Sequence, residues 1–219
     1  LAALPWSDDL VRWRERIGFL RRHAGEDWPD LSDAALLASL ADWLGPYLDG
    51  VSRRDHLARI DLTAALKALL PWEKQREVER LVPTHVEVPS GSRVAIDYAN
   101  PDEPTLSVRL QEMFGLTETP RIAGGKVPLT IHLLSPARRP VQVTRDLASF
   151  WASGYKAVKS ELKGRYPRHY WPDDPLVAEP TARARVLAYQ SNHKRNPSPI
   201  PLEVCPWCGT PFVPDSFAL

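Results

Sequence analysis

Residues 83–98 read PTHVEVPSGSRVAIDY, and within them the spacing of apolar residues changes from helical to alternating. Val86 and Val88 alternate with His85 and Glu87, a Pro89-Ser90-Gly91-Ser92 turn follows, and Val94, Ile96 and Tyr98 alternate with Arg93, Ala95 and Asp97. Two short alternating runs joined by turn residues predict a β-hairpin. Further on, 105–110 alternates again, 111–115 reads as a short helix closed by Gly115, and 129–134 and 141–144 add two strands on either side of a turn at 135–140. Three strands, a short helix and two strands is the element order of an OB-fold, so this region is expected to form a five-stranded OB-like β-barrel. A generic five-stranded α+β module has the same order.

Upstream of Pro83 the chain reads as helices joined by turns. Ser7 is placed as an N-cap with Asp8 and Asp9 in the first turn, and Leu10, Trp13, Ile17 and Leu20 give that helix a buried face. Gly25 closes it, and Asp30 or Ser32 opens the next. There Leu36, Leu37, Leu40, Trp43 and Leu44 repeat at helical spacing until Gly45-Pro46. A third helix spans about 60–70, and 72–81 resumes after Pro71 as a short, highly charged one.

Downstream, residues 144–175 read TRDLASFWASGYKAVKSELKGRYPRHYWPDDP. At about 100° per residue, Leu147, Phe150, Trp151, Tyr155, Val158 and Leu162 share one sector of a helix, and Arg145, Lys156, Lys159 and Lys163 share the opposite one. Asp146 and Glu161 project away from the basic row. Past Gly164 come Arg165, Tyr166, Arg168, His169, Tyr170 and Trp171. Cations interleaved with flat rings suit a single-stranded nucleic acid, because the cations neutralise phosphates and the rings stack on bases. The expected phosphate contacts are Arg138 and Arg139 at a hairpin tip, with Lys156, Lys159, Lys163, Arg165 and Arg168; the expected stacking rings are Tyr166, Tyr170 and Trp171. The plainer reading is an amphipathic surface helix with solvated lysines, whose aromatic residues pin a terminus onto a core.

The fold class expected is therefore α+β, in four pieces. An N-terminal helical bundle segment covers 1–82 and the OB-like barrel 83–145, followed by an amphipathic basic helix with its extension at 146–176 and a Pro-rich tail at 177–219. The 219 residues are 43% hydrophobic and 25% charged, ordinary for a globular protein. A net charge of +1 conceals eight Lys or Arg against two acids between 137 and 170. No apolar run reaches the roughly 18 residues a membrane span requires. The start, LAALPWSDD, carries neither an initiator Met nor a leader, so a cytoplasmic piece of something longer, with no membrane partner, is expected.

Several long runs resemble a known family. SGSRVAIDY, SVRLQEMFGLTETPRIAGGKVPLTIHLLSPARRPVQVTRDLASFW and LKGRYPRHYWPDDP are similar to the C-terminal region of the HrpB family of bacterial, DEAH-box, ATP-dependent RNA helicases. LPWSDD, LSDAALLASLADWL and ALLPWEKQREVERL resemble the segment immediately before it, so the likeness extends to about Arg185. The resemblance implies the end of a helical bundle, an OB-like barrel and a carboxyl extension. Together these would sit against the helicase motor domains and help form the channel for the single strand, expected to be single-stranded RNA, with the choice between RNA and DNA left open by the sequence. It also implies ATP and Mg for the parent enzyme. A different class, a motor-docking module without nucleic-acid contact, is the alternative.

No catalytic residue is expected in this chain. A G-x-x-x-x-G-K-[ST] loop is absent, and Gly124-Gly125-Lys126 lacks the glycine spacing and the following hydroxyl; it reads as a flexible connection. The six histidines are scattered, none in an H-E-x-x-H pair. Cys205 and Cys208, in CPWCG, have the spacing of one zinc knuckle. One knuckle supplies two of four ligands, and His193 is the nearest further candidate. An unmetallated Pro-rich extension is therefore favoured over zinc.

Overall fold

In a computed structural model, residues 1–182 are described, together with the backbone of 203–204 and 211–212. Helix α1 (Asp8–Ala24) begins at Ser7, whose hydroxyl accepts from the Leu10 amide, and ends at Gly25. Its buried residues include the predicted Leu10, Trp13, Ile17 and Leu20. Ser32 caps α2 (Asp33–Ala38), and Asp30 in turn accepts from the Ser32 amide. The helix expected to continue from there breaks at Ser39, whose hydroxyl donates back to the Ala35 carbonyl, and resumes as α3 (Leu40–Leu44). The break turns Leu37 outward, 53% exposed, while Leu36 and Trp43 stay buried. Helices α4 (Leu62–Lys67) and α5 (Trp72–Leu81) complete the helical part.

One buried cation binds α1 to the end of α5. Arg16 is 3% exposed; its Nε donates to the Val82 carbonyl at 2.6 Å, and an Nη2 to Glu79 distance of 2.9 Å completes the clamp. Helices and sheet are stitched together directly after it. The Tyr98 hydroxyl donates to the Pro83 carbonyl, Phe19 meets the Tyr98 ring edge-on at 5.6 Å, and Arg22 pairs with Asp102 at 2.6 Å. Apolar residues of both parts form one connected core.

The predicted hairpin is β1 (His85–Glu87) with β2 (Arg93–Asp97), antiparallel, Val86 opposite Val94. Strand β3 (Thr105–Arg109) pairs antiparallel with β2. The chain then crosses over through a 3₁₀ turn (Leu110–Glu112) and a small ribbon, β4 (Arg121–Ile122) with β5 (Val127–Pro128). It returns as β6 (Thr130–Leu134), parallel to β3, and β7 (Pro140–Thr144) pairs antiparallel with β6. A parallel neighbour demands such a crossover, because a tight turn cannot reverse the chain twice.

The resulting order, β1-β2-β3-β6-β7, corrects the expected OB-like barrel: the sheet is open, with β1 and β7 as unpaired edges. Closure would require β1 to bond a second neighbour and to bury one face. At three residues, none of them fully buried, β1 does neither. The α+β class stands, with an open mixed sheet in place of a barrel.

After β7, Asp146 caps α6 (Leu147–Ser149), which passes through one π turn (Phe150–Gly154) into α7 (Tyr155–Arg165). All six residues of the predicted apolar sector are buried. They pack on the crossover, where Phe114 lies 6.2 Å from both Trp151 and Tyr155, and the Trp151 indole donates to the Leu116 carbonyl. In the π turn Gly154 faces the Phe150 ring so closely that a Cβ would sit 2.8 Å from its Cδ2. Gly154→Ala must displace that ring within a packed core, and is expected to cost about 1–3 kcal/mol. A fall in thermal midpoint with the far-ultraviolet spectrum preserved would register it; an unchanged midpoint would rule the clash out.

Candidate nucleic-acid interface

The β6–β7 turn is built around Ser135. Its amide donates to the Arg139 carbonyl at 2.8 Å, its carbonyl accepts from the Arg138 amide at 2.8 Å, and its hydroxyl accepts from the Arg139 amide at 3.1 Å. Arg138 adopts φ +59°, a left-handed conformation that tightens the tip, and both arginines are exposed. Helix α6–α7 runs back along the sheet and delivers Tyr166 to this turn, its hydroxyl 3.4 Å from the Ser135 Oγ. The next turn, closed by the His169 amide on the Tyr166 carbonyl, exposes Arg168. Two basic groups 30 residues apart in sequence thus lie on the two turns that this contact joins.

The basic row of α7 is divided. Lys156 and Lys163 are exposed. Lys159 between them is largely covered, and its Nζ lies 2.5 Å from the exposed Asp173. The Lys159 hydrogen bond and its charge, with a further contribution from Lys163, hold Asp173 below the usual carboxylate range. Arg165 pairs with Glu161 at 3.4 Å on the helix surface, a contact of little energy. Arg138, Arg139, Lys156, Lys163 and Arg168 make no ion pair among the described residues.

The aromatic residues are placed differently from the cations. Trp171 is 8% exposed and its indole donates to the Tyr166 carbonyl at 3.0 Å; Tyr166 and Tyr170 are half-buried against the core. His169 lies edge-on to Tyr166 and beside Gln111, and burial holds it below the usual imidazole range. The segment after α7 is a strap. The Tyr155 hydroxyl donates to the Pro172 carbonyl, the Gly115 amide to the Pro175 carbonyl, and the Thr181 amide to the Gln111 carbonyl. Tyr155, buried under it, has its phenol pushed well above the usual range by desolvation. Sequence reasoning missed Asp173, Ser135 and Gln111. Of these only Ser135, in a Ser-Pro turn ahead of two arginines, carries a readable signal.

Gly124 and Gly125, at φ +67° and +84°, form the tip of the β4–β5 ribbon, and Arg121 occupies the Gly125 and Lys126 carbonyls. No helix N-terminus follows to cradle phosphates, so these residues do not fit ATP or its Mg. Among the described residues no group of His, Cys, Asp and Glu has the arrangement of a metal site. Cys205, Cys208 and His193 lie outside the described residues; the flanking backbone at Glu203–Val204 pairs antiparallel with Pro211–Phe212. Among the described residues no helix is long and apolar enough to cross a membrane.

A mixed sheet carrying a basic turn and a strapped helix has known relatives. Residues 43–175 match the family model described as ATP-dependent helicase C-terminal, HrpB_C, and the chain belongs to that family. It is 45% identical over 186 residues to the ATP-dependent RNA helicase HrpB of Escherichia coli K12, covering 84% of this chain and 23% of that protein. The crystal structure of the E. coli DExH-box NTPase HrpB superposes with a TM-score of 0.76 at 45% identity, over 84% of this chain and 23% of that one. A second crystal structure, of the E. coli DEAH/RHA helicase HrpB, gives 0.63 at 42% identity, over 78% and 22%. The chain thus spans under a quarter of the length of these relatives.

Proposed function

We propose that this chain is the C-terminal accessory region of an HrpB-type, ATP-dependent RNA helicase, and that it holds RNA by its phosphates while resting on the motor. The observation that carries the RNA part is the contact of Tyr166 with Ser135, which joins the turn of Arg138 and Arg139 to that of Arg168, all three exposed and without an ion pair among the described residues. Lys156, Lys163 and Arg165 extend that surface along α7; Lys159 instead anchors the strap through Asp173. In this reading the helices before Pro83, the sheet, and the helix with its strap are successive accessory pieces. ATP is bound with Mg and hydrolysed by parts of the parent protein outside this chain, in the bacterial cytoplasm.

Docking on the motor is favoured by a separate observation. Trp72, at the start of α5, is 61% exposed with the Arg76 guanidinium over one face at 5.1 Å, an apolar anchor of the kind that interfaces bury. A salt titration with a labelled 20-nucleotide single-stranded RNA tests the RNA part. Five cations without an ion pair among the described residues predict that log K falls with log salt at a slope of about −3.5, at roughly −0.7 per phosphate. Absence of binding in low salt would leave motor docking as the whole function.

A further inference from the structure

The rings that the sequence offered as stacking platforms are spent on the fold, and this bears on which nucleic acid the surface takes. Trp171 is buried with its N–H committed to the Tyr166 carbonyl. Tyr166 turns its hydroxyl to Ser135 and meets His169 at 84°, and Tyr170 packs on the core. Phe150, Trp151 and Tyr155 lie beneath the helix. Among the described residues Trp72 is the one exposed aromatic, and it belongs to the helical part, upstream of the sheet. A single strand held by stacking needs an open ring face beside the cations, and the described rings next to Arg168 are Tyr166 and Tyr170, both half-buried against the core.

What these arginines have instead is freedom. They project from two exposed turns joined through Tyr166 and Ser135, and each guanidinium can fork two phosphate oxygens. Exposed basic tips suit the outside of a helix, where duplex RNA is read by phosphate and shape rather than by base edges. The duplex also carries the denser charge, so each neutralised phosphate releases more counterion, about 0.9 against 0.7 for a single strand.

We infer that the Arg138, Arg139 and Arg168 surface reads the phosphate backbone alone and takes duplex RNA at least as readily as a single strand. The inference rests on the nucleic-acid reading proposed above and narrows its ligand. Such a surface would hold the base-paired stretch beside the strand that a helicase draws in, without discriminating sequence.

The test compares three labelled 20-mers on the intact 219-residue chain, by fluorescence anisotropy across a salt series: a single strand, its duplex, and an abasic single strand. Backbone reading predicts a duplex dissociation constant no weaker than that of the single strand. It also predicts a salt slope steeper by a factor of about 1.3, and an abasic strand within about threefold of the normal one. Arg168→Glu should weaken all three by the same factor, with the fold checked by circular dichroism. Stacking on even one base would instead cost the abasic strand about fivefold or more. A single strand preferred tenfold over duplex, or an abasic strand weakened to that extent, overturns the inference and leaves nucleic-acid binding intact. No binding of any probe in low salt overturns both.

Discussion

Reversing Arg138, Arg139 and Arg168 to glutamate together is expected to lower RNA affinity by about two to three orders of magnitude in 50 mM salt. It should also flatten the salt slope by about 2 on a single strand, because three phosphate contacts are lost. The size follows from placement. All three are exposed and make no ion pair among the described residues, and each reversal replaces an attraction with a repulsion. The corresponding change at Lys156, Lys159 and Lys163 should weaken binding less, since Lys159 already spends its charge on Asp173. Anisotropy at several salt concentrations, with circular dichroism as a fold control, separates the two triples. Equal affinity of the turn triple and the unmodified chain would end the assignment.

The second large effect concerns folding. Arg16→Ala is expected to destabilise the chain by about 2–4 kcal/mol, because a charged donor is removed from a site that water does not reach. The Val82 carbonyl would lose the Arg16 bond, Glu79 would lose its partner, and the aliphatic stem of Arg16 would leave a void among the residues joining α1 to α5. Arg16→Lys keeps the charge but not the fork, so it should recover less than half of the loss. Urea denaturation is the measurement: the midpoint should fall with the slope unchanged. A midpoint within error of the parent's would show that the clamp contributes nothing to stability.

Periodicity made part of this molecule legible and left other parts dark. Helix α6–α7 could be read in advance because six apolar residues kept one sector while charges kept the other, and the core took all six. Caps were legible for the same local reason: Ser7 and Ser32 meet backbone amides three residues on. The open sheet was not legible. Alternation tells which residues form a strand but not which strand lies beside it, and the parallel pairing of β3 with β6 depends on a 20-residue crossover that alternation does not describe. The glycines at 124 and 125, read as a loose connection, are the tip of a paired ribbon. The cations of the candidate interface were legible as residues, but their grouping was not, since Ser135 meets Tyr166 across 31 positions. Rings are ambiguous in principle: a tyrosine beside arginines stacks on a base or packs on a core, and only burial tells them apart.

The strap carries a consequence for the length of chain this architecture requires. Cutting after Arg165 would withdraw the acceptors of the Tyr155 phenol and the Gly115 amide, uncover the Gln111 carbonyl, and strip Trp171, Pro172, Pro175 and Ala178 from a greasy floor. The remainder would present bare indole and phenyl surface to water and would be prone to clump. The minimal unit therefore runs well past α7, and residues that look like a disposable trailer close the interior.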